Sequence, residues 1–482
     1  MLFNSIEYFI FFIGVFFSYW FLFQKSVKAQ NILLLVSSYY FYGSWDWRFL
    51  SLIFISSITD FFIGLKLGSA SNQKTRKLLL IASLCFNLGI LGFFKYFNFF
   101  ADSLTQLFSE FGVQPGFVTL HVILPVGVSF YTFQSLSYTL DIYKKKFEPT
   151  KDVINFLTFV AFFPQLVAGP IERAKHLLPQ FTRSRIFDFH HGANGLRLIL
   201  WGLFKKVAVA DQLSGFVDMV YNHPAEYHGM EIIIATLFFA FQIYCDFSGY
   251  SDIAIGSAKL LGFDLMRNFN YPYFATSLKS FWQRWHISLS TWFRDYVYIP
   301  LGGNHASRSR WVFNILVTFT VSGLWHGANL TFILWGFLHG LFYLLERPFG
   351  KVPIWKHSGM VSVPATFAIV NLLWIFFRAK SMNDVGIIFT NLFNGLKWQL
   401  TEIHSLSSAL SHIFPEEKSA FFLFVTLLLF LLIEWLTKSG DFNALFEKRS
   451  VIFRWSVYYF IAAWLCLFGL KETAETFIYF QF

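Results

Sequence analysis

The chain has 482 residues, of which 55% are hydrophobic, 22% aromatic and only 14% charged, with a mean hydropathy of +0.51. That composition excludes an ordinary soluble domain and describes a polytopic membrane protein. The formal net charge of +10 sits in short clusters between apolar runs, which is the positive-inside pattern of a protein in membrane lipid and not a nucleic-acid footprint.

A spanning helix needs about 20 mostly apolar residues. Residues 6–23 supply the first, closed by Lys25 and Lys28. No Lys or Arg precedes it and no small-residue cleavage signature follows, so it is expected to span the membrane and not to be a cleaved signal peptide. Spans over 31–42 and 49–65 are joined by an aromatic corner at Ser44, Trp45, Asp46 and Trp47. A basic loop at Lys66, Lys74, Arg76 and Lys77 leads to a span over 78–94, a polar link carrying Asp102 and Glu110, and a span over 117–140 that ends at Lys144, Lys145 and Lys146. These three basic segments share one side if the N-terminus is extracytoplasmic, the orientation expected here.

Further spans are expected over 153–167, 195–210, 232–245, 362–377, 421–436 and 457–470, with Arg173, Lys175, Arg183 and Arg185 between the first two. With the central apolar run at 311–345, the count is about 11–13 membrane helices. No fixed-period repeat and no soluble-domain-sized insertion stands out, so residues 1–482 are expected to form a single membrane domain. Its working residues would then lie between helices. Cys85, Cys245 and Cys466 lie in apolar runs without metal or redox spacing and are expected to be buried small hydrophobes.

Three stretches are too polar for lipid-facing helices. In 127–143, Ser129, Thr132, Gln134, Ser135 and Tyr138 would line an interior surface or serve as interhelical hydrogen bonds. In 242–252, Asp246 and Asp252 could cap a helix that follows a break at Ser248 and Gly249; as a metal site, two carboxylates with no nearby histidine are a weak signal beside capping. In 281–296, Trp282, Trp285, Leu289, Trp292, Phe293 and Tyr296 recur at helical spacing opposite Arg284, Ser288, Thr291 and Asp295. An amphipathic helix in or on the membrane is expected there, ended by Pro300, Leu301, Gly302 and Gly303.

The central run 311–345 carries His326, and an ionisable side chain within such a run marks a functional site by default. If the run is one helix, Ser322, His326 and Asn329 share a face, and Gly323 and Gly327 beside them would admit another helix or a thin acyl chain. A packed histidine bonded to those neighbours is the plainer alternative. His339, thirteen positions on, would lie about 140° away around a continuous helix and is left out of the site.

Taken together, Trp325-His326-Gly327, Arg284 to Ser288, Phe293 to Gly303, Pro164 to Ile171 and Asp246 to Asp252 resemble the membrane-bound O-acyltransferase family. The similarity is greatest to its bacterial polysaccharide branch, which serves alginate O-acetylation and teichoic acid D-alanylation. The resemblance covers nearly the whole chain. It implies an all-α polytopic fold around a central funnel, His326 as the catalytic histidine and His286 as the second histidine of the branch. It also implies acyl transfer from a cytoplasmic thioester, acetyl-CoA or an acyl carrier protein, with no permanently bound cofactor. The acceptor would be an exported polysaccharide, a periplasmic or extracellular acyltransferase partner would complete the transfer, and the location would be the bacterial inner membrane.

The residue chemistry is compatible with that. A thioester is already activated, so a base for the attacking hydroxyl and donors for the developing oxyanion suffice. His326 is the expected general base and His286 its partner, with Ser322 and Asn329 as hydrogen-bonding support and Trp325 and Trp285 as walls. Arg284 and Arg294, with Asp295, could hold donor phosphates at the cytoplasmic mouth or anchor to anionic lipid. The rival from another class is a transporter or channel using His326 and His286 as a proton relay or substrate ligand; the paired inverted repeats it would show are not evident.

Overall fold

A computed structural model describes residues 1–112, 122–167, 169–349, 359–401, 417–440, 442–446, 449–468 and 477–480. Every regular element among them is helical. Among the described residues, five helical stretches are long and apolar enough to cross a membrane: Val27–Ser69, Gln73–Glu110, Met230–Leu260, Gly359–Arg378 and Ala420–Thr437. Shorter apolar helices cover Ile6–Leu22, Val153–Leu166, Leu330–Glu346 and Val451–Leu467. The protein is an all-α polytopic membrane protein.

The chain forms two compact units, Met1–Leu196 with Ala254–Met266, and Arg197–Ile253 with Arg267–Phe482. In the first unit, helix starts follow their capping residues: Ser5 accepts from the Tyr8 N–H, Ser26 from Ala29, and Asp152 from Asn155. The expected corner at 44–47 falls at Asp46, where the helix Val27–Asp46 ends in extended backbone (φ -159, ψ 111) and the Asp46 carboxylate caps the next turn at the Arg48 N–H. The expected polar link at Asp102 and Glu110 is also helical. Gln73–Glu110 is one 38-residue helix, since isolated acids among Phe and Leu do not interrupt intrahelical hydrogen bonding. Part of the expected span over 117–140 lies outside the described residues; its described helix is Val128–Tyr143, entered through Gly127 at φ 75.

Ser135 and Gln134 of that helix make interhelical bonds. Asp60, fully buried, accepts from Ser83 at 2.6 Å, from Asn87 at 2.8 Å and from Ser135. Gln134 donates to the Phe159 carbonyl at 2.5 Å. Nearby in sequence to the basic stretch, the buried Glu172 accepts from the Met266 N–H at 2.5 Å and pairs with His176 Nδ1 at 2.7 Å.

In the second unit the expected break at 248–249 does not occur. Met230–Leu260 runs unbroken for 31 residues, and Asp246 and Asp252 are not caps but ion-pair partners. The segment Phe204–Ala210, wound as a π-helix, presents two buried lysines to them. Lys206 Nζ lies 2.7 Å from both Asp211 and Asp246, and Lys205 Nζ lies 2.7 Å from Asp252 and 2.9 Å from Ser248 Oγ. Gly249 does its work by size: a Cβ there would stand 2.7 Å from the Gly202 carbonyl oxygen, so the two helices cross backbone to backbone. A helix absent from the sequence expectations, Met382–Thr401, begins where Ser381 Oγ accepts from the Asp384 N–H; Asn383, Asn391 and Asn394 dilute its apolar signal. Of the three cysteines only Cys245 is buried; Cys85 and Cys466 lie on exposed helix surfaces and correct the expectation for those two.

Two outcomes follow from these contacts. Lys206→Ala leaves two buried carboxylates without their cation, so a loss of about 3–5 kcal/mol is expected, read as a lowered unfolding temperature of the detergent-solubilised protein. The hydrogen bond to Glu172 raises the His176 pKa above its ordinary value. A raised folded-state pKa contributes stability that is fully present below the unfolded imidazole value and is lost as pH rises through the folded one. The melting temperature of wild type relative to His176→Ala should therefore fall toward zero difference as pH is raised from 6 to 9.

Candidate active site

The central run is a hairpin and not one helix. Arg308–His326 ends at His326, Gly327 is extended, and Leu330–Phe349 returns alongside. The arms approach at Gly323 and Gly336, where a Cβ on Gly323 would collide with the Phe332 carbonyl and stand 3.1 Å from the Gly336 Cα. Gly327 is held against the Phe332 ring, which occupies the place of any side chain there. The expected close approach at Gly323 is thus made by the chain's own next helix.

This break redistributes the expected face. Ser322 stays one turn before His326, and both are buried. Asn329 does not continue that face: it starts the second arm, accepting from the Thr331 N–H at 3.1 Å and donating to the Lys380 carbonyl at 2.8 Å. Those two bonds hold the hairpin turn.

His326 is 3% exposed and is enclosed by rings. Trp325 lies 5.0 Å from it between centroids, Trp335 5.2 Å at 90°, Phe377 5.4 Å and Tyr479 5.7 Å. His286 meets two of the same rings, Trp325 at 6.2 Å and Tyr479 at 6.4 Å, and packs edge-on to Phe247 at 4.6 Å. The two histidines therefore share a wall made by Trp325 and Tyr479.

His286 is placed by strain and by one asparagine. The expected single amphipathic helix over 281–296 is broken: Leu278–Trp282 ends, His286 takes φ 42 and ψ 55, and Ile287–Phe293 begins behind it. A left-handed conformation is costly for a bulky residue and persists where its surroundings enforce it. Asn268 does so, since its carbonyl accepts from the Ile287 N–H at 2.9 Å while Oδ1 faces the Ser288 N–H at 3.3 Å, the Ser288 hydroxyl at 2.9 Å and His286 Nδ1 at 3.1 Å. A backbone N–H can only donate, so the Asn268 atom is the oxygen, and a neutral His286 ring carries its proton on Nδ1. Trp285, 1% exposed, stacks over Phe281 at 5.5 Å and meets Trp374 at 5.1 Å.

A cleft of about 1650 Å³ opens beside this core. Ser322 and Ile287 reach it from the histidine side, Trp282 and Phe319 form apolar wall, and Lys279, Arg294 and Arg308 supply positive charge. The Glu346 carboxylate also lines it but accepts from the Leu278 N–H at 2.9 Å through both oxygens. Arg294 pairs with Asp295 at 2.8 Å on an exposed rim, a geometry that contributes little to stability. Arg284 bonds Ser280 Oγ at 3.1 Å. Neither Arg284 nor Asp295 belongs to the lining of the cleft.

Residues that sequence reasoning missed include Asn268, Trp335, Phe377 and Tyr479. Tyr479 is held from a distance, because the Ile478 N–H beside it donates at 2.7 Å to Asp246, the same carboxylate that pairs with Lys206. No local pattern in the sequence flags a tyrosine so far from either histidine. Among the described residues no group of three or more His, Cys, Asp or Glu could hold a metal ion.

Compared with known proteins, residues 144–376 match the family model described as MBOAT, membrane-bound O-acyltransferase family. The chain is 39% identical over 405 residues to the probable alginate O-acetylase AlgI of Pseudomonas aeruginosa, covering 84% of this chain and 77% of that protein. It is 34% identical to the peptidoglycan O-acetyltransferase of Helicobacter pylori, with 80% and 78% covered, and 25% identical to the teichoic acid D-alanyltransferase of Bacillus subtilis, with 55% and 72% covered.

Gly336→Val places a branched side chain where the first arm's backbone stands. Overpacking at such a crossing costs typically about 1–3 kcal/mol, so that variant should melt earlier than wild type, whereas Gly386→Ala, with nothing within 4 Å of the added carbon, should not.

Proposed function

The chain belongs to the membrane-bound O-acyltransferase family and is an O-acyltransferase of membranes, and from that premise we propose that it moves an acetyl group from a cytoplasmic thioester to the hydroxyl of an exported polysaccharide, with His326 as general base. The observation that carries this reading is the enclosed pair of histidines, His326 and His286, beside a cleft lined by three cations.

In this mechanism the donor's anionic groups lie against Lys279, Arg294 and Arg308, and its acetyl thioester reaches His326 past Ser322. The imidazole takes the proton of the attacking hydroxyl as its oxygen bonds to the carbonyl carbon. The tetrahedral intermediate then expels the thiolate, which the imidazolium protonates, so the base is regenerated. Aromatic walls at Trp325, Trp335 and Phe377 keep water from competing for the thioester. His286, its Nδ1 held by Asn268, orients the acceptor through Nε2. Tyr479 bridges the two imidazoles and fixes their separation.

No bound cofactor or metal is required, since the donor is a substrate, acetyl-CoA or an acetylated carrier protein. The relatives act, by name, on alginate and peptidoglycan, which supports a cell-surface or exported polysaccharide as acceptor, reached through a periplasmic or extracellular acyltransferase partner. The proposed location is the bacterial inner membrane with an extracytoplasmic N-terminus, the donor on the cytoplasmic side and the acceptor on the other. Family membership favours this transferase over a transporter.

Transfer of radiolabelled acetyl from acetyl-CoA or acetyl carrier protein into membrane vesicles tests the proposal. His326→Ala should lower the initial rate about 10²–10⁴-fold, the range for loss of a general base, with unchanged insertion and amount. Equal labelling by wild type and variant would make His326 a packing residue and end the mechanism. Asn268→Ala should lower kcat through His286 while leaving the donor KM nearly unchanged, and Arg294→Ala should do the reverse, more strongly at low salt.

A further inference from the structure

We propose that His339, with Trp282 and Trp335, binds the secondary amides of a phosphopantetheine-type arm, the linker that carries the thioester both in coenzyme A and in acyl carrier proteins. This rests on the reading of the protein as a thioester-dependent transferase and identifies residues that select its donor.

The hairpin brings His339 into play. On a continuous helix it would face away from His326, but the reversal at Gly327 to Asn329 carries the second arm back along the first. His339 is fully buried between Trp282, centroids 5.0 Å apart, and Trp335, 4.8 Å apart, with the Phe281 ring parallel at 6.4 Å. Among the described residues neither ring nitrogen of His339 has a hydrogen-bond partner, and the same holds for the indole N–H groups of Trp282 and Trp335. Four polar atoms on three touching side chains are thus held out of water without protein partners. Buried polar groups are paired as a rule, and a cluster of exceptions points to a ligand that completes them.

The chemistry of that ligand follows from the atoms. A neutral imidazole offers one N–H donor and one acceptor nitrogen, the complement of a secondary amide's carbonyl and N–H. The two indoles add donors for a further carbonyl, and their faces suit the short methylene runs between amides. Position agrees with chemistry. Trp282 lines the cation-bearing cleft, and Trp335 lies 5.2 Å from the His326 ring, so Trp282, His339 and Trp335 form a continuous chain of touching rings between the cleft wall and the proposed base. An arm with amides spaced along it, phosphate in the cleft and thioester at His326, follows that chain.

The test uses the full-length protein with His339→Phe, which keeps an aromatic ring but no polar atom, and His339→Gln, which keeps one donor group and one acceptor. His339→Phe should raise KM at least ten-fold for both acetyl-CoA and acetyl carrier protein with kcat within about two-fold of wild type, and should weaken equilibrium binding of pantetheine, the arm alone, at least ten-fold. His339→Gln should recover most of both. A fall in kcat with KM unchanged, or equal defects in both variants, would make His339 a structural residue and overturn the proposal, as would a KM effect for acetyl-CoA without one for the carrier protein, which points to the nucleotide. If wild type transfers acetyl from neither donor yet binds pantetheine in a His339-dependent way, the proposed reaction fails while the arm site stands.

Discussion

The crossing of the hairpin arms at Gly323 and Gly336 is the constraint from which the arrangement of the site descends. With no Cβ on either residue, the backbones meet at a distance that side chains ordinarily forbid. That closeness forces a reversal within three residues after His326 and leaves His326 at a helix end instead of mid-helix. A helix end inside apolar surroundings exposes backbone groups that must be satisfied, and Asn329 meets part of that need through Thr331 and Lys380. The histidine is therefore positioned by backbone packing on one side and by rings on the other.

A second constraint acts through charge. Lys206 joins Asp211 to Asp246, and Asp246 in turn accepts from the Ile478 N–H, so one ion network fixes the element next to Tyr479. Taking these groups out of water is expensive, and a hydrophobic replacement of the whole set would cost less in stability. Their persistence at the foot of the wall shared by His286 and His326 makes sense if what they secure is the placement of Tyr479. Gly202 and Gly249 serve the same end, since only a close crossing lets the π-wound segment bring both lysines to the Met230–Leu260 helix.

Much of this was legible in the residues. Hydropathy located the apolar helices, and the combined motifs pointed to the family through His326 and His286, because those signals are local in sequence. What escaped depended on distant partners. Asp246 and Asp252 looked like capping residues since nothing nearby neutralised them, yet their cations come from more than thirty residues upstream. Ser322, His326 and Asn329 share a helical face only if the helix continues, and the Gly327-Ala328-Asn329 step that ends it is no stronger a stop signal than the Gly323 that does not. His339 was set aside by the same assumption of continuity, and Asn268 and Tyr479 carry no pattern at all.

The aromatic composition then acquires a physical reading beyond lipid compatibility. Around His326 the wall is built from Trp325, Trp335, Phe377 and Tyr479, at centroid distances between 5.0 and 5.7 Å. Flat, stiff side chains lose little conformational freedom on being fixed and interlock edge to face. They can therefore hold a reactive imidazole in place while adding no more than one polar atom per ring. A thioester in water has a hydroxyl acceptor at enormous concentration in the solvent itself; transfer to any other hydroxyl requires that water be kept out more effectively than the true acceptor is. A ring-lined chamber with few polar atoms satisfies that requirement, and it makes the polar atoms that remain in it, the imidazole nitrogens of His286, His326 and His339 together with the polar tips of Trp325, Trp335 and Tyr479, the ones whose partners decide what the chamber accepts.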